Sequence, residues 1–490
     1  MSDHERPNIL WYCTDQQRFD TIAALGYPDV RTPTVDQLVS EGVAFDRTYC
    51  QSPICTPSRA SFMTGRYPAS HHVHRNGNPH FPVEEVLVST LLAEGGYDCG
   101  LIGKQHLSRA NIVEQRIPND GYRLFAWSHH PYPDWSEGHA YADWLEAKGV
   151  DPVALYENLE SPGPGVPTEL HQTTWASETA IEFINQPRSG PWMLNVNVFD
   201  PHPPFDPPAE YLERYNPDEM ERPLFRPSDI EHQERMALID QQTKKAIDPT
   251  VRPEPGEQKM AEGDSRFQAP ENFDAAKIKA CYYAMIELID DQFKRIIEAL
   301  KASGQYENTF IIFTSDHGEM LGDHGLLQKG CRFFDGLVRV PLVISWPARF
   351  RHRPPTDALA ELIDLAPTVL DAAGLKIPSR MQGKSLLPLL EGKVDTVKDH
   401  VVCEYHDALA GVGMDDHSHG FMVFDGRFKI CVYQGHPTCG EMYDLQSDPG
   451  EFENLWGHPE HAALQAELTA CALDAYMRTC DAGMERTGRF

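Results

Sequence analysis

The sequence TFIIFTSDHG, residues 309–318, decides the fold class, because it joins an apolar run directly to a polar cluster. The same pattern occurs in NILWYCTDQ at 8–16 and in WMLNVNVFDPH at 192–202. A short apolar run without alternation is typical of a strand that is buried on both faces, as in a mostly parallel sheet. We therefore predict buried strands over Asn8–Cys13, Asp98–Gly103, Trp192–Phe199, Thr309–Thr314 and Val340–Ser345.

Helical patterns separate these strands. The clearest runs from Ala275 to Ser303, where the apolar residues fall on one stripe of the helix. Shorter patterns cover Thr34–Glu41 and Leu362–Ala373, the second of which ends at Gly374. Strands that alternate with helices predict an α/β fold with a large, doubly wound, mixed sheet.

The pattern changes after about residue 392. Short strands with antiparallel character are predicted at His400–Tyr405, Phe421–Phe424, Phe428–Tyr433 and Glu441–Leu445. A helix over Pro459–Met477 follows them. We therefore predict a catalytic domain over 1–392 and a smaller C-terminal α+β subdomain over 393–490. The segment Asp206–Asn272, rich in Pro and acidic residues, is predicted to be an irregular excursion and a candidate lid.

Composition indicates the compartment and excludes some partners. The 73 acidic and 43 basic residues give a net charge of −30, which argues against nucleic acid and anionic membranes as partners. Eleven irregularly spaced cysteines favour a reducing compartment. The polar start Met1–Pro7 lacks the features of a secretory signal, and no apolar run is long enough for a membrane span. We expect a soluble, cytoplasmic protein.

Four polar clusters follow strands or open a helix, at Thr14–Gln16, Cys55–Arg59, Asp200–His202 and Ser315–Gly318. In open α/β sheets such positions meet at the carboxyl ends of the strands, where sites are built. A single Asp there is commonly a helix N-cap, and a lone histidine such as His202 is equally well a turn residue. Several oxygen-bearing groups at one edge are what a hard divalent cation requires.

The segment SPICTPSRASFMTGRYP at 52–68, with Cys55-x-Pro57-x-Arg59 inside it, resembles the signature of type I sulfatases, in which the cysteine becomes formylglycine. Other segments resemble the family's segments in the family's order; they are 32–50, 100–106, 199–205, 314–318, Lys329, 339–347, 426–430 and 441–455. The chain is identified by this resemblance as a member of the formylglycine-dependent sulfatases of the alkaline phosphatase superfamily, close to the arylsulfatases and phosphonate monoester hydrolases.

The resemblance implies hydrolysis of aryl or alkyl sulfate monoesters. Residue 55, oxidised to formylglycine by a formylglycine-generating enzyme and hydrated to a gem-diol, would be the nucleophile. One divalent metal ion, calcium or manganese, would be held by Asp15, Asp316, His317 and residue 55, with Gln16 as a further ligand. The metal and nearby cations would lower the pKa of the attacking hydroxyl.

The resemblance also implies roles for residues around the transferred group. Arg59 would hold the gem-diol through its planar fork. Lys104 and Lys329 would neutralise the oxygens of the transferred group. His202 would protonate the leaving group, and His106 would accept the proton of the second hydroxyl.

The nucleophile also needs a residue that orients it. Asn76, in the sequence HRNGN, matches the family position with this role, and Asn78 is its rival.

Two pairs depart from the common sulfatase pattern. Many sulfatases have Asp-Asp and Asp-Asn where this chain has Asp15-Gln16 and Asp316-His317. An amide and an imidazole favour manganese or another transition metal over calcium alone. Both pairs resemble those of phosphonate monoester hydrolases, whereas Lys104-x-His106 resembles the sulfatase arrangement. We therefore prefer a sulfatase with promiscuous activity, and the alternative is a hydrolase of phosphonate monoesters and phosphodiesters.

Other readings are weaker. An alkaline-phosphatase-like phosphomonoesterase needs a Ser or Thr nucleophile and ligands for a second metal, and we find no such set. A non-catalytic sulfate-ester binder has no need of a modifiable Cys55.

We interpret His71-His72-x-His74 as surface or pocket-rim residues and Asp415–His419 as a solvated loop, with substrate recognition as the alternative for the loop. The tail Asp481–Phe490 is the only feature of the sequence that suggests self-association into a homo-oligomer.

Overall fold

The computed structural model describes residues 6–110, 114, 116–131, 138–157, 159, 161–243, 245–253, 272–409, 418–481 and 483. A large sheet has eight strands in the order β4-β3-β5-β1-β6-β7-β2-β8. These strands are β1 Asn8–Thr14, β2 Val43–Tyr49, β3 Asp98–Gly103, β4 Tyr122–Trp127, β5 Trp192–Asn197, β6 Thr309–Ser315, β7 Arg339–Ser345 and β8 Ala360–Glu361. Only β7 runs against the others, so the sheet is mixed and mostly parallel.

Helices cover both faces of this sheet, which confirms the doubly wound prediction. Alternate residues of β1 point to opposite sides: Trp11 lies in one apolar cluster and Tyr12 in another. The helices are α1 Pro33–Glu41, α2 Cys55–Thr64, α3 Pro68–His71, α4 Val88–Glu94, α5 Ala140–Ala147, α6 Pro152–Tyr156, α7 Gln172–Asn185, α8 Ala209–Leu212, α9 Pro227–Arg235, α10 Ala275–Ala302, α11 Asp335–Val338, α12 Leu365–Ala372, α13 Leu387–Leu390 and α14 Ala462–Thr479.

The five predicted strands of the large sheet are present, with ends that differ by at most two residues from the prediction. Strands β2, β4 and β8 were not predicted. Strand β8 has only two residues, and charged residues interrupt the other two: Asp46 and Arg47 lie within β2, and Arg123 lies within the edge strand β4. A strand that is partly exposed in this way lacks the continuous apolar run that identifies a buried one.

The C-terminal region forms a second, antiparallel sheet, as predicted. Its order is β12-β11-β10-β9, and its strands are β9 Val401–His406, β10 His419–Phe424, β11 Phe428–Tyr433 and β12 Glu441–Asp444. Helix α14 packs on it through Leu468, Ala472 and Ala475. The Glu404 amide on β9 donates a hydrogen bond of 2.8 Å to the carbonyl of Gln51 in the large domain. The boundary at residues 392 and 393 stays a prediction.

The described part of the 206–272 excursion contains two short helices, α8 and α9. After α9 it runs beside the segment that carries Lys329: the amide of Gln242 donates to the Lys329 carbonyl at 3.0 Å, and the amide of Cys331 donates to Asp240 at 2.7 Å. Residues 254–271 lie outside the described part, so the lid stays a prediction. None of the described helices has the length and apolar character that a membrane crossing requires.

Candidate active site

The site lies at the carboxyl ends of the parallel strands. Asp15 follows β1, Lys104 follows β3 and Asp316 follows β6. Gly103 has φ of 96°, and a Cβ atom there would lie 2.0 Å from the Asn197 carbonyl oxygen. This glycine therefore allows β3 to turn closely over β5 before Lys104. Because the strands are parallel, the side chains that follow them meet at one edge, as predicted from the sequence.

Four predicted metal ligands are brought together. Asp15, Cys55, Asp316 and His317 are buried, and one potential ligand atom of each lies within 4.8 Å of all the others. Nδ1 of His317 lies 2.9 Å from the Gly318 carbonyl oxygen, which can only accept a hydrogen bond. In the neutral ring this contact puts the proton on Nδ1, so that Nε2, which lies 3.0 Å from Cys55 Sγ, is the atom that could bind a metal. Two carboxylates and an imidazole fit a divalent cation such as manganese.

Arg59 binds both carboxylates of this cluster. Its Nε donates to Asp316 at 2.8 Å, its Nη2 donates to Asp15 at 3.3 Å, and its Nη1 donates to the Lys104 carbonyl at 2.9 Å. The Lys104 ammonium also forms an ion pair with Asp15. Burial alone would raise the pKa of Asp15, but the charges of Lys104 and Arg59 hold it well below its usual range. The contact of Arg59 with a modified residue 55 stays a prediction.

Cys55 is the first residue of α2, as the motif predicted for a helix-opening cysteine. Lys329 Nζ donates to its sulfur at 2.8 Å. Burial would raise the pKa of the thiol, but Lys104 and Lys329 lower it to about 7. Negative charge is therefore favoured at this position, which suits a group that becomes a nucleophile.

Lys329 also contacts His202. Their Nζ and Nε2 atoms lie 3.1 Å apart, and His202 Nδ1 lies 2.7 Å from the Pro203 carbonyl oxygen. Burial and the Lys329 charge lower the pKa of His202 well below its usual range. The ring is therefore neutral, with its proton on Nδ1 and its Nε2 accepting from Lys329. The two side chains together hold one transferable proton at this end of the site.

His106 lies in the loop that follows Lys104, and Glu114 holds this loop. The Glu114 carboxylate accepts hydrogen bonds from the amides of His106 at 2.7 Å, Leu107 at 2.5 Å and Ser108 at 3.1 Å. Burial and the Lys104 charge lower the pKa of His106 well below its usual range. The neutral ring fits a proton acceptor, the role that the sequence implied.

Gln16 and Asn76 complete the predicted set. The Gln16 oxygen accepts a hydrogen bond of 2.9 Å from Lys329 Nζ, and its backbone amide donates to Asp316 at 3.0 Å. Metal ligation by Gln16 stays a prediction. The Asn76 oxygen accepts from the amide of Thr56 at 3.1 Å and so holds the start of α2. Asn78 donates no side-chain hydrogen bond within the described residues.

Sequence reasoning missed four residues near the site, of which Glu114, Glu319 and His129 are buried and His130 is half-buried. Glu114 and Glu319 lie in loops without periodicity, and His129 and His130 follow the unpredicted strand β4. The ring centroids of His129 and His106 are 4.5 Å apart, and those of His130 and His202 are 5.6 Å apart. The other candidates were found because they are polar residues that follow a predicted strand. A strand predicted at 122–127 would therefore have made His129 and His130 candidates as well.

The prediction for the His71-His72-x-His74 motif was partly wrong. His71 is fully buried: its Nε2 contacts Ser61 Oγ at 2.9 Å and its Nδ1 accepts from the Val73 amide at 3.0 Å. Its role is structural, while His72 is exposed. In the other histidine motif, residues 415–417 lie outside the described part. The predicted docking tail also lies outside it, except for residues 481 and 483.

Comparisons with known proteins agree over nearly the whole chain. The family model described as Sulfatase matches residues 7–375, and the model for the C-terminal part of N-sulphoglucosamine sulphohydrolase matches 322–476. An arylsulfatase of Clostridium perfringens is 28% identical over 93% of this chain and 91% of its own. A multifunctional alkaline phosphatase superfamily protein of Trinickia caryophylli is 30% identical over 96% and 95%. The solved phosphonate monoester hydrolase of Agrobacterium radiobacter aligns with a TM-score of 0.77 at 26% identity, over 97% of this chain and 96% of its own.

Proposed function

Since the chain belongs to the sulfatase family, we propose that it hydrolyses sulfate monoesters through a formylglycine made from Cys55, at a site that holds one divalent metal ion. Family membership supports sulfate ester hydrolysis in general. The observation that carries the finer proposal is the position of Cys55: its sulfur lies in one buried cluster with two carboxylates and an imidazole, 2.8 Å from a lysine ammonium. A formylglycine-generating enzyme is the maturation partner that this proposal requires.

Asp15, Asp316, His317 and residue 55 would hold the metal, with Gln16 beside them. A divalent cation there supplies positive charge that lowers the pKa of the nucleophilic hydroxyl. We propose manganese or calcium, and the imidazole of His317 favours manganese. The oxidised residue supplies a hydrated aldehyde, whose second hydroxyl allows the product anion to be released; a thiol has no equivalent.

The chain's own residues bind and orient the group in transfer. Lys104 and Lys329 carry the positive charge that would neutralise the sulfate oxygens. The pair of Lys329 and His202 holds a proton that would go to the leaving-group oxygen. His106, neutral and buried, would accept the proton of the second hydroxyl. Arg59 keeps both metal-binding carboxylates in place through its fork.

The second candidate is a hydrolase of phosphonate monoesters and phosphodiesters. Gln16 and His317 favour it, because both pairs resemble those of phosphonate monoester hydrolases, and one such hydrolase is among the similar solved structures. Lys104 and His106 favour the sulfatase, because they resemble the sulfatase arrangement. Both candidates use the same nucleophile and metal, so a promiscuous enzyme satisfies all of these observations.

A comparison of kcat/KM on three substrates tests the proposal. These are p-nitrophenyl sulfate, p-nitrophenyl phenylphosphonate and bis-p-nitrophenyl phosphate, each with manganese and with calcium. Peptide mass spectrometry at residue 55 first establishes the fraction of formylglycine, and Cys55→Ala is the control. The sulfate is expected to dominate and the control to be inactive. Preference for the phosphonate or the diester would establish the second candidate instead, and full activity of Cys55→Ala would refute both.

A further inference from the structure

A buried carboxylate lies behind the site and contacts none of the four clustered ligands directly. Glu319 has no solvent exposure. One of its oxygens accepts a hydrogen bond from Gln16 Nε2, and the other accepts from the backbone amides of Leu321, at 3.2 Å, and Gln328. The carboxylate thus links the residue after Asp15 to the segment that leads into Lys329.

Glu319 determines which end of the Gln16 amide faces the site. A side-chain amide has an oxygen that accepts and a nitrogen that donates, and the two ends have nearly the same shape. The nitrogen of Gln16 donates to one oxygen of Glu319, and the other oxygen of Glu319 is taken by the two backbone amides. The oxygen then faces the site, which agrees with the hydrogen bond it accepts from Lys329 Nζ at 2.9 Å.

We propose that Glu319 is a positioning residue, which orients the Gln16 amide so that an oxygen, and not an N–H group, faces the metal site. The inference rests on the proposed function, because it takes the cluster of Asp15, Asp316 and His317 to hold a divalent cation. The backbone of Gln16 already lies at that cluster, since its amide donates to Asp316 at 3.0 Å. The direction of the side chain is then held at both ends, by Glu319 at the nitrogen and by Lys329 at the oxygen.

The variant Glu319→Gln tests this orientation without changing the shape of the side chain. Its oxygen would remain with the two backbone amides of Leu321 and Gln328, and its NH2 group would face Gln16 Nε2. Two donors that face each other repel, so the Gln16 amide would be displaced and its oxygen would no longer be held toward the site. We expect Mn²⁺ to bind about 10- to 100-fold more weakly, as for other residues that orient metal ligands. Isothermal titration calorimetry on metal-depleted protein measures this without reference to activity.

Exchange of the two side chains distinguishes orientation from a general loss of stability. In the double variant Gln16→Glu with Glu319→Gln, the amide at 319 donates to a carboxylate at 16, which still offers an oxygen to the site. The net charge is unchanged. We expect the double variant to bind Mn²⁺ within a few-fold of the wild type, and affinity as weak as that of Glu319→Gln would overturn the inference. Should Glu319→Gln fail to fold, the double variant alone decides, by retaining or losing the affinity.

Glu114→Gln is the matched control. Glu114 is also a buried carboxylate that accepts several hydrogen bonds in a site loop, but it contacts His106, Leu107, Ser108 and Trp127 rather than Gln16. We expect this variant to melt at a lower temperature in its metal-free form while its Mn²⁺ affinity stays the same. Equal losses of affinity in Glu114→Gln and Glu319→Gln would overturn the inference. A wild-type protein that binds no divalent cation would overturn the proposed function as well, whereas normal binding by Glu319→Gln would overturn the inference alone.

Discussion

Lys329 is a buried cation that contacts Cys55, His202 and Gln16 through its Nζ atom. Burial opposes its charge, but the neighbouring Cys55 and Asp15 raise its pKa above the usual value. A charge held in this way, in a place from which water is largely excluded, interacts with an anion far more strongly than a surface lysine does. Lys329 therefore has the properties of a group that stabilises charge on the transferred sulfate.

Replacement of Lys329 by methionine removes this charge and keeps most of the side-chain volume. We expect kcat/KM for the preferred substrate to fall by about 10²- to 10³-fold, the usual effect of losing one electrostatic contact to a transition state. Steady-state kinetics on protein with a measured formylglycine content checks this. Lys301→Met, on the exposed surface of α10, is the control and should keep full activity. An equally active Lys329→Met would contradict the role assigned to Lys329.

Among single residues, the sequence predicted those that follow a recognised strand or belong to a recognised motif. Asp15, Asp316, His317 and Cys55 were expected together, and the structure brings their ligand atoms together. Glu114 and Glu319 were not predicted, because an acidic residue in a loop looks like any solvated charge. Their burial follows only from which backbone amides the folded loops direct at them.

Among the elements, α2 has an unusual beginning. It opens at Cys55, and the residue before it, Ile54, has no side-chain group that caps the helix. The cap is supplied by Asn76, from a loop 20 residues further along, whose oxygen accepts from the Thr56 amide. Helix starts without a partner for their amides are unfavourable, so this contact stabilises the helix that begins at Cys55.

Asn76→Ala should therefore lower the free energy of unfolding by about 1 kcal/mol, the typical value of an N-cap. Asn76→Asp keeps the accepting oxygen and should retain most of this stability. Urea unfolding followed by circular dichroism measures both. Asn78→Ala, two residues away, removes a side chain without this contact and should have a smaller effect. Equal destabilisation by Asn76→Ala and Asn78→Ala would show that the cap is unimportant.

The sequence predicted the buried elements better than the partly exposed ones. The strands β1, β3, β5, β6 and β7 are continuous apolar runs, and the long helix α10 has a clear apolar stripe. Strands β2 and β4 carry charged residues, and α7 has its apolar residues divided between polar ones, so their periodicity was not recognised. The arrangement of strands in the sheet follows from packing between distant segments, which local patterns do not contain.

The whole molecule combines an acidic surface with a cationic site. The net charge is −30, yet Arg59, Lys104 and Lys329 are buried at the site. These cations act over a short range on a bound anion, whereas the overall charge repels an anion that approaches from solution. Salt therefore weakens the effect of the negative surface charge, which repels the substrate, more than the effect of the buried cations, which bind it.

We expect kcat/KM for a singly charged sulfate ester to rise with ionic strength, because salt screens the surface charges more than the buried ones. Between about 0.01 M and about 0.15 M salt, the Debye length falls from about 30 Å to about 8 Å, so most of the repulsion disappears. Steady-state assays with sodium chloride across this range measure the effect. The same assays in glycerol, which raises the viscosity, show whether diffusion of the substrate to the site limits kcat/KM. A fall in kcat/KM with salt would show that a local positive field at the entrance outweighs the overall charge.

The burial of Cys55 affects the order of events when the protein is made. Its side chain is 1% exposed in the folded chain, beneath the carboxyl edge of the large sheet. An enzyme of ordinary size has no access to such a thiol, so the proposed oxidation has to take place on the nascent or unfolded polypeptide. Folding and oxidation then compete for the same molecules, and a chain that folds first stays inactive for its lifetime. The yield of active protein from a cell would thus depend on the supply of the modifying enzyme during translation, and later treatment of the purified protein would not raise it.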